Sequence, residues 1–444
     1  MAQEADSAET GIPEPSIATS LPANGDPFGR RAALAARGVR YNVNYGAEVF
    51  GVADGGIKSG SQYVGQLEGI VNIDFEKLTG WNGLTFRAHG YQLHGRGISI
   101  DRVGVLNGVS SLEATPSTRL FELWFEQDLI KDKLSVRAGQ LRVDYDGEFL
   151  TAPSAGLFMN NDFGWSALMA TNLPSGGLGF PIIAPGIRVK AQPSDAVALL
   201  FAVYNDDPAG PCEGDPQVCN TDGLKFRLRD NPFAIGEIQY KYGSNATPSG
   251  LNGLLKVGTF VDLGKFDDKR IGTDGLSLAS LGSNGIAHRY HENHGFYGVV
   301  DQQIYRPPAS ASADNGVFVF GRMAGLPSDR NLVDLAFDAG IRFNGLIAAR
   351  PSDEFGVGVH YNRISNRVSS LDRDAIAATG VAGPIHGSEY GIELTYKAQT
   401  KPGLTLQPDL QYVWNPGGHA PDPNNPSKAI DSALIVGLRS VVSY

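Results

Sequence analysis

The chain has 444 residues, of which 56 are Gly and 26 Pro; 42% are hydrophobic and the formal net charge is −10. That acidic balance, with no basic block, excludes nucleic acid as an expected partner. No stretch approaches the roughly 20 consecutive apolar residues that a membrane helix needs, which excludes a helical span.

The first 27 residues, "MAQEADSAETGIPEPSIATSLPANGDP", lack a hydrophobic signal core and cannot bury enough apolar surface to fold, so residues 1–27 are expected to be a flexible tail. Either the protein is cytosolic or a signal peptide has been removed. The "AQEA" after Met1 reads as a mature, processed start and favours export through a signal peptide absent from this chain. "DPFGRRAALAARG" has an Asp and Pro start, an Ala-rich centre and a Gly stop, which predicts a short periplasmic helix over residues 28–38, read as the one convincing helix of the chain. The remainder, 39–444, is taken as one domain.

From Tyr41 the period changes to two. Tyr41, Val43, Tyr45, Ala47 and Val49 alternate with Asn42, Asn44, Gly46 and Glu48, which predicts a strand with one oily face. The pattern returns in "YVGQLEGIVNIDFE", "LTFRAHGYQ", "LSVRAG", "GIRVKAQ", "AVALLFAVY", "FAIGEIQYKYG", "LLKVGTFVDL", "GFYGVVDQQIY" and on to "ALIVGLRSVVSY" at the end, giving about sixteen strands. Their connections alternate between short, such as "IKDK" and "QPSD", and long, such as 95–117, 147–185 and 264–294. Tyr41, Phe75, Trp81, Tyr305, Phe343, Phe355, Tyr396 and Tyr444 fall at strand ends beside the short turns. Short turns at one end, long loops at the other and an aromatic girdle are the pattern of an outer-membrane barrel. Because hydrocarbon offers backbone groups no partner, such strands must close without edges. The predicted fold is therefore all-β: a transmembrane, antiparallel, up-and-down β-barrel of about sixteen strands with a short N-terminal helix.

Closure decides which way the faces of "FELWFEQDLIKDKLSVRAGQ" look. Phe121, Leu123, Phe125 and Leu129 are expected to meet lipid, while Glu122, Trp124, Glu126 and Asp128 face a lumen too wide for side chains to fill. The lumen phase also holds Glu68, Asp74, Arg87, His89, Arg137, Arg188 and Lys190. Carboxylates and guanidinium groups suit sugar hydroxyls, and an indole suits the apolar face of a sugar ring. Arg87, Glu122, Trp124, Glu126 and Arg137 are accordingly the expected substrate-binding residues, with Trp124 as stacking platform. Each single position also reads as plain solvated pore wall. The segment 147–185, apolar and aromatic for a loop, either folds into the barrel, bringing Asn160, Asn161, Phe163 or Trp165 to the solute, or packs at the rim; Asn160 and Trp165 are counted with the substrate-binding set.

Cys212 and Cys219 stand in "GPCEGDPQVCN", a loop small enough to bring both sulfurs within reach of a disulfide, as suits an oxidising compartment. Two free thiols are the alternative, and a zinc site lacks two further ligands nearby. "HRYHENHG" sets His288, His291 and His294 three apart, a spacing that suits no familiar closed metal site. No cofactor is expected, and no Ser, His and Asp arrangement suggests an enzyme.

"RAALAARGVRYNVNYGAEV", "VNIDFEKLTGWNGLTF", "RLFELWFEQDLIKDKLSVRAGQ", "FMNNDFGW", "GFYGVVDQQIYR", "VFVFGRMAGLPSDRNLV", "RPSDEFGVGVHYNRIS" and "DSALIVGLRSVVSY", in this order and spacing, resemble the carbohydrate-selective porin family of Gram-negative outer membranes, the OprB type. The resemblance implies a barrel of sixteen strands with its own pore, passive entry of neutral, glucose-like sugars into the periplasm, and a constriction of arginines, acids and aromatics. It departs at the last residue, since such chains usually end on Phe and this one ends on Tyr444. The partners expected are neutral sugars and outer-membrane lipid, with assembly of copies left open. A general or anion-biased porin, and a soluble β-rich binding protein with its oily face turned inward, are the competing readings.

Overall fold

The computed structural model describes residues 10–144, 147–243, 250–308 and 312–444. Its strands are β1 Val39–Gly56, β2 Gly60–Asp74, β3 Leu84–Gly95, β4 Ser117–Ile130, β5 Leu134–Leu141, β6 Ala184–Ala191 and β7 Val197–Asn205. There follow β8 Pro232–Tyr242, β9 Gly253–Asp262, β10 Phe266–Gly272, β11 Ala287–Tyr290, β12 Asn293–Tyr305, β13 Gly316–Gly325 and β14 Val333–Asn344. The last are β15 Glu354–Ile364, β16 Ser388–Lys401, β17 Leu404–Trp414, β18 Pro421–Asp422, β19 Asn425–Ala429 and β20 Asp431–Ser443. Sixteen of them pair in chain order and close, with β20 returning to β1, while β10 with β11 and β18 with β19 form small hairpins in the long loops. The pairing is antiparallel throughout, and the closing seam runs from Asn44 opposite Ser443 to Gly56 opposite Asp431. Closure leaves no edge, which lipid would penalise by several kcal/mol for each unpaired backbone group.

The side chains are sorted as a membrane barrel requires. Val49, Phe125, Phe201, Val257, Phe296, Met323 and Val436 are exposed, whereas Glu48, Glu122, Lys256, Arg322 and Gln411 are buried. Nitroxide labels at Phe125→Cys, Val257→Cys and Val436→Cys are expected to report hydrocarbon, and labels at Glu68→Cys and Lys190→Cys to report water. Water at all five would favour the soluble reading. The expected girdle is present at the short-turn end, where Phe343 and Phe355 lie 5.7 Å apart and Phe75 and Phe125 lie 6.2 Å apart.

One residue of β4 departs from its expected side. Phe125 is 49% exposed but Phe121 only 1%. The register slips between the pairs His89–Glu122 and Gly90–Leu120, so Phe121 is an extra residue in a bulge and turns inward. There it packs with Tyr91, Leu93 and Ile183. Asp74, assigned to the lumen by its phase, instead caps the helix Phe75–Thr79, accepting from the amides of Glu76 and Lys77.

The predicted N-terminal helix is Arg30–Ala36, with Asp26 accepting from the amides of Arg30, Arg31 and Ala32. Of the segment expected to be a flexible tail, residues 1–9 lie outside the described residues. Residues 10–27 have a defined path beside the short-turn end of the closing seam. The buried Arg31 guanidinium lies 4.7 Å from the Tyr41 ring and 5.0 Å from the Tyr444 ring, and donates to the carbonyls of Gly11 and Tyr41. The Tyr444 hydroxyl donates to the Gly25 carbonyl at 2.7 Å, a bond that Phe could not make. Besides Phe75–Thr79, the longer helix Asn366–Thr379 contradicts the expectation of a single one. Its signals were present in the Ser365 cap, the Gly380 stop and a stripe of Val368, Leu371, Ala375 and Ala378 between them.

Candidate functional site

The interior is narrowed by residues 147–183, which reach β6 through the barrel rather than over its rim. Polar side chains of the facing strands hold this loop by its backbone. Glu237 on β8 accepts from the amide of Leu150 at 3.0 Å, Asp301 on β12 from the amide of Ser154 at 2.6 Å, and Glu393 on β16 from the amides of Met159 and Asn160 at 2.7 and 2.9 Å. Lys256 on β9 donates to the Gly147 carbonyl, and Gln407 on β17 to that of Leu157 at 2.8 Å. Arg322 on β13 donates to the carbonyls of Leu150, Asp162 and Gly164 and to the Asp338 carboxylate. The imidazole of His360 lies 2.9 Å from Asp162.

Bare backbone makes room for the loop's rings. A Cβ on Gly356 would meet Phe158 at 2.8 Å, and one on Gly358 would meet Phe163 at 2.6 Å. These glycines occupy the lumen phase of "EFGVGVHY", where a wall facing only water has no need of them. The loop side of the interior is thus packed like a protein core.

The polar wall of β2–β6 carries the expected charges. Glu68 lies 2.7 Å from His89, which lies 2.9 Å from Glu122; Arg87 is 3.4 Å from that same carboxylate. The Trp124 indole donates to Glu122 at 3.3 Å. Glu126 pairs with Arg137 at 2.8 Å and Arg188 at 2.9 Å, and Glu148 of the loop with Arg188 at 2.9 Å and Arg137 at 3.6 Å. Four carboxylates therefore interleave with three guanidinium groups and an imidazole. Asn42, Asn44, Glu68, Asn72 and Arg87 are only half-buried, which leaves this part of the interior open to water.

Of the seven residues expected at the solute, five share this wall and two belong to the loop. Arg87 and Glu126 keep water contact, whereas Glu122 is fully covered. Trp124, read from its phase as an open platform, is 5% exposed, with the Arg137 guanidinium 4.4 Å over its ring. Phase gives the side of a strand and not what lies against it. Asn160 is buried and donates to Gln411 at 3.0 Å, so its amide holds the loop. Trp165 donates to the Gly176 carbonyl at 2.8 Å and borders the mouth. The residues that anchor the loop, among them Arg322, Glu393 and Asp301, were not among those expected at the solute; their only sequence signal is a charge on the inward phase.

At the long-loop end, residues 96–116, 161–182 and 215–217 enclose a cavity of about 750 Å³. Cys212 and Cys219 form the expected disulfide, with Cα atoms 6.1 Å apart. Burial pushes the Glu113 carboxyl up to about 7, against the hydrogen bonds it accepts from Ser99 and Ile98. His288 and His291, on the outer hairpin, are exposed, and His294 lies 3.4 Å from Glu292.

Comparison with known proteins matches the description "Carbohydrate-selective porin, OprB family" over residues 58–444. Porin B of Pseudomonas aeruginosa is 24% identical over 433 residues, covering 94% of this chain and 89% of that protein. The putative porin QuiX of Acinetobacter baylyi is 21% identical over 443 residues, covering 95% and 92%. The high-pH structure of Pseudomonas putida OprB shares the fold with a TM-score of 0.82 at 24% identity, covering 95% of this chain and 98% of that one.

Proposed function

This chain belongs to the carbohydrate-selective porin, OprB family, and from that premise we propose that it admits glucose-like monosaccharides to the periplasm along the β2–β6 wall. It is a sugar-selective porin of the Gram-negative outer membrane, a channel rather than an enzyme. Arg87, Glu126 and Glu68 would meet the solute. Glu122, Trp124 and Arg137 would hold them in place, with Asn160 and Trp165 fixing the loop opposite. The supporting observation is the pairing itself: carboxylates and guanidinium groups engage one another at 2.8–3.6 Å while the outermost members still touch water. An ion gains little from a wall whose charges are already compensated. A neutral sugar can exchange hydrogen bonds with it and leave again.

Export through a removed signal peptide follows from the same reading, and the pore is complete within one chain, so assembly of copies would leave the path unchanged. Swelling of liposomes in D-glucose against uncharged solutes of equal size tests the sugar preference. Cation–π contact of the kind between Arg137 and Trp124 is worth roughly 0.5–2 kcal/mol, several-fold in the population of a held side chain. Trp124→Ala is therefore expected to slow glucose entry several-fold while ion conductance stays the same or rises. Equal swelling in all solutes by the unaltered protein would favour a general porin instead.

A further inference from the structure

We infer that the cavity at the long-loop end is a capture site for a neutral saccharide of one or two rings, occupied before the solute reaches the charged wall. This inference rests on the sugar-porin reading above and names a second site on its path. The volume, about 750 Å³, lies within the range of roughly 300–1,000 Å³ usual for small-molecule sites. Its lining joins an aromatic and proline surface, Phe180 with Pro181, to hydroxyl-matching groups on Ser111, Asn161, Asp215 and Gln217. A pyranose offers an apolar C–H face and equatorial hydroxyls, and so asks for this combination.

The site is built rather than incidental. Phe180 is fixed from behind by Tyr91 and Phe121, whose ring centroids lie 5.4 and 6.0 Å away. Asn161 is held by Asn107, which itself donates to the Trp165 carbonyl at 2.8 Å. The third wall is the turn closed by Cys212 and Cys219. Within it Asp215 accepts from the amide of Gln217 at 2.9 Å and from the Thr115 hydroxyl at 2.7 Å, and Gln217 accepts from the amide of Thr115 at 2.7 Å. The disulfide closes this turn, its bonds to Thr115 fasten one long loop to another across the mouth, and a wall ordered in advance lowers the entropy a ligand must lose.

The cavity lies next to the constriction. Phe121, behind Phe180, lies 5.4 Å from His89, which pairs with Glu68 and Glu122. Ser110, another lining group, accepts from Arg439 on the inner wall of β20 at 2.8 Å. A sugar released inward from the mouth meets the polar wall next.

The test uses single channels of the full chain in a planar bilayer, with D-glucose or maltose added to one side at a time and interruptions of ion current counted. Phe180→Leu keeps the packing against Tyr91 and Phe121 but removes the flat surface; Cys212→Ser with Cys219→Ser releases the third wall. Both are expected to lower the association rate of sugar from the long-loop side several-fold and to leave association from the short-turn side unchanged. Equal rates from the long-loop side in both variants and the unaltered protein would overturn the capture site while leaving the sugar pore intact. A loss that is equal from both sides would place the effect in the constriction and also overturn it. Absence of any sugar-dependent interruption or flux in the unaltered protein would instead remove the sugar-porin reading, and this inference with it.

Discussion

Arg322→Ala is expected to raise single-channel conductance several-fold and to remove most of the discrimination among neutral solutes. The side chain is 3% exposed and serves three loop carbonyls together with Asp338. Deleting one partner of a buried ion pair costs roughly 3–5 kcal/mol, because the other charge remains without compensation, and each carbonyl left without a donor adds about 1–3 kcal/mol. The loop can escape that cost by leaving the wall, since water would then reach Asp338 and the freed carbonyls. The stretch around Asp162–Gly164 is expected to detach first, because Glu393 still holds Met159 and Asn160. Gly358→Val approaches the same seat by bulk instead of charge, crowding Phe163, and should widen the pore in the same direction. Wild-type conductance and selectivity in both variants, each shown to be folded by its resistance to unfolding in detergent, would mean that residues 147–183 do not set the narrowest part of the path.

The barrel was legible because lipid imposes a simple pattern. Period two, turn length and terminal aromatics all report the same solvent, and so Val49, Phe125 and Val436 were readable one residue at a time. The inside was legible only by phase. Phe121 misled because a bulge alters the phase without a mark in the sequence, and Trp124 because its cover, Arg137 and the apolar side chains of the inward loop, comes from other segments. The loop's anchors were beyond reach for a related reason. Met159 and Glu393 stand 234 residues apart, as Asp162 and Asn362 stand 200 apart, and nothing local pairs them. One trace was available. Gly356 and Gly358 on the inward phase mark where rings approach the backbone, and a glycine run on a water-facing wall is a signal for an inner loop.

Glu126→Gln is expected to turn the pore toward anions. Its two oxygens accept from different arginines, one from Arg188 at 2.9 Å and the other from the Nε and terminal nitrogen of Arg137 at 3.0 and 2.8 Å. Arg137 and Arg188 stand directly opposite each other on β5 and β6, a like-charge pair that the sheet would disfavour alone. Two unit charges about 4 Å apart interact by roughly 4 kcal/mol at an effective dielectric of 20. Glu126 and Glu148 together balance that pair, and removing one charge leaves Glu148 alone between two guanidinium groups. The wall then carries a net positive field where Glu126 keeps contact with water, and chloride gains where potassium loses. Under a gradient of potassium chloride the reversal potential should move toward that of chloride, corresponding to a several-fold rise in the anion-to-cation permeability ratio. Arg137→Gln should move it the opposite way, by freeing Glu126 from one of its two partners. D-Glucose carries no charge and should swell liposomes at a rate changed far less than the permeability ratio, because the glutamine still offers a donor and an acceptor at the same place. If both substitutions leave the reversal potential where it was in folded protein, the ion path avoids this part of the wall, and the half-buried charges at Arg87 and Glu68 are the next to neutralise.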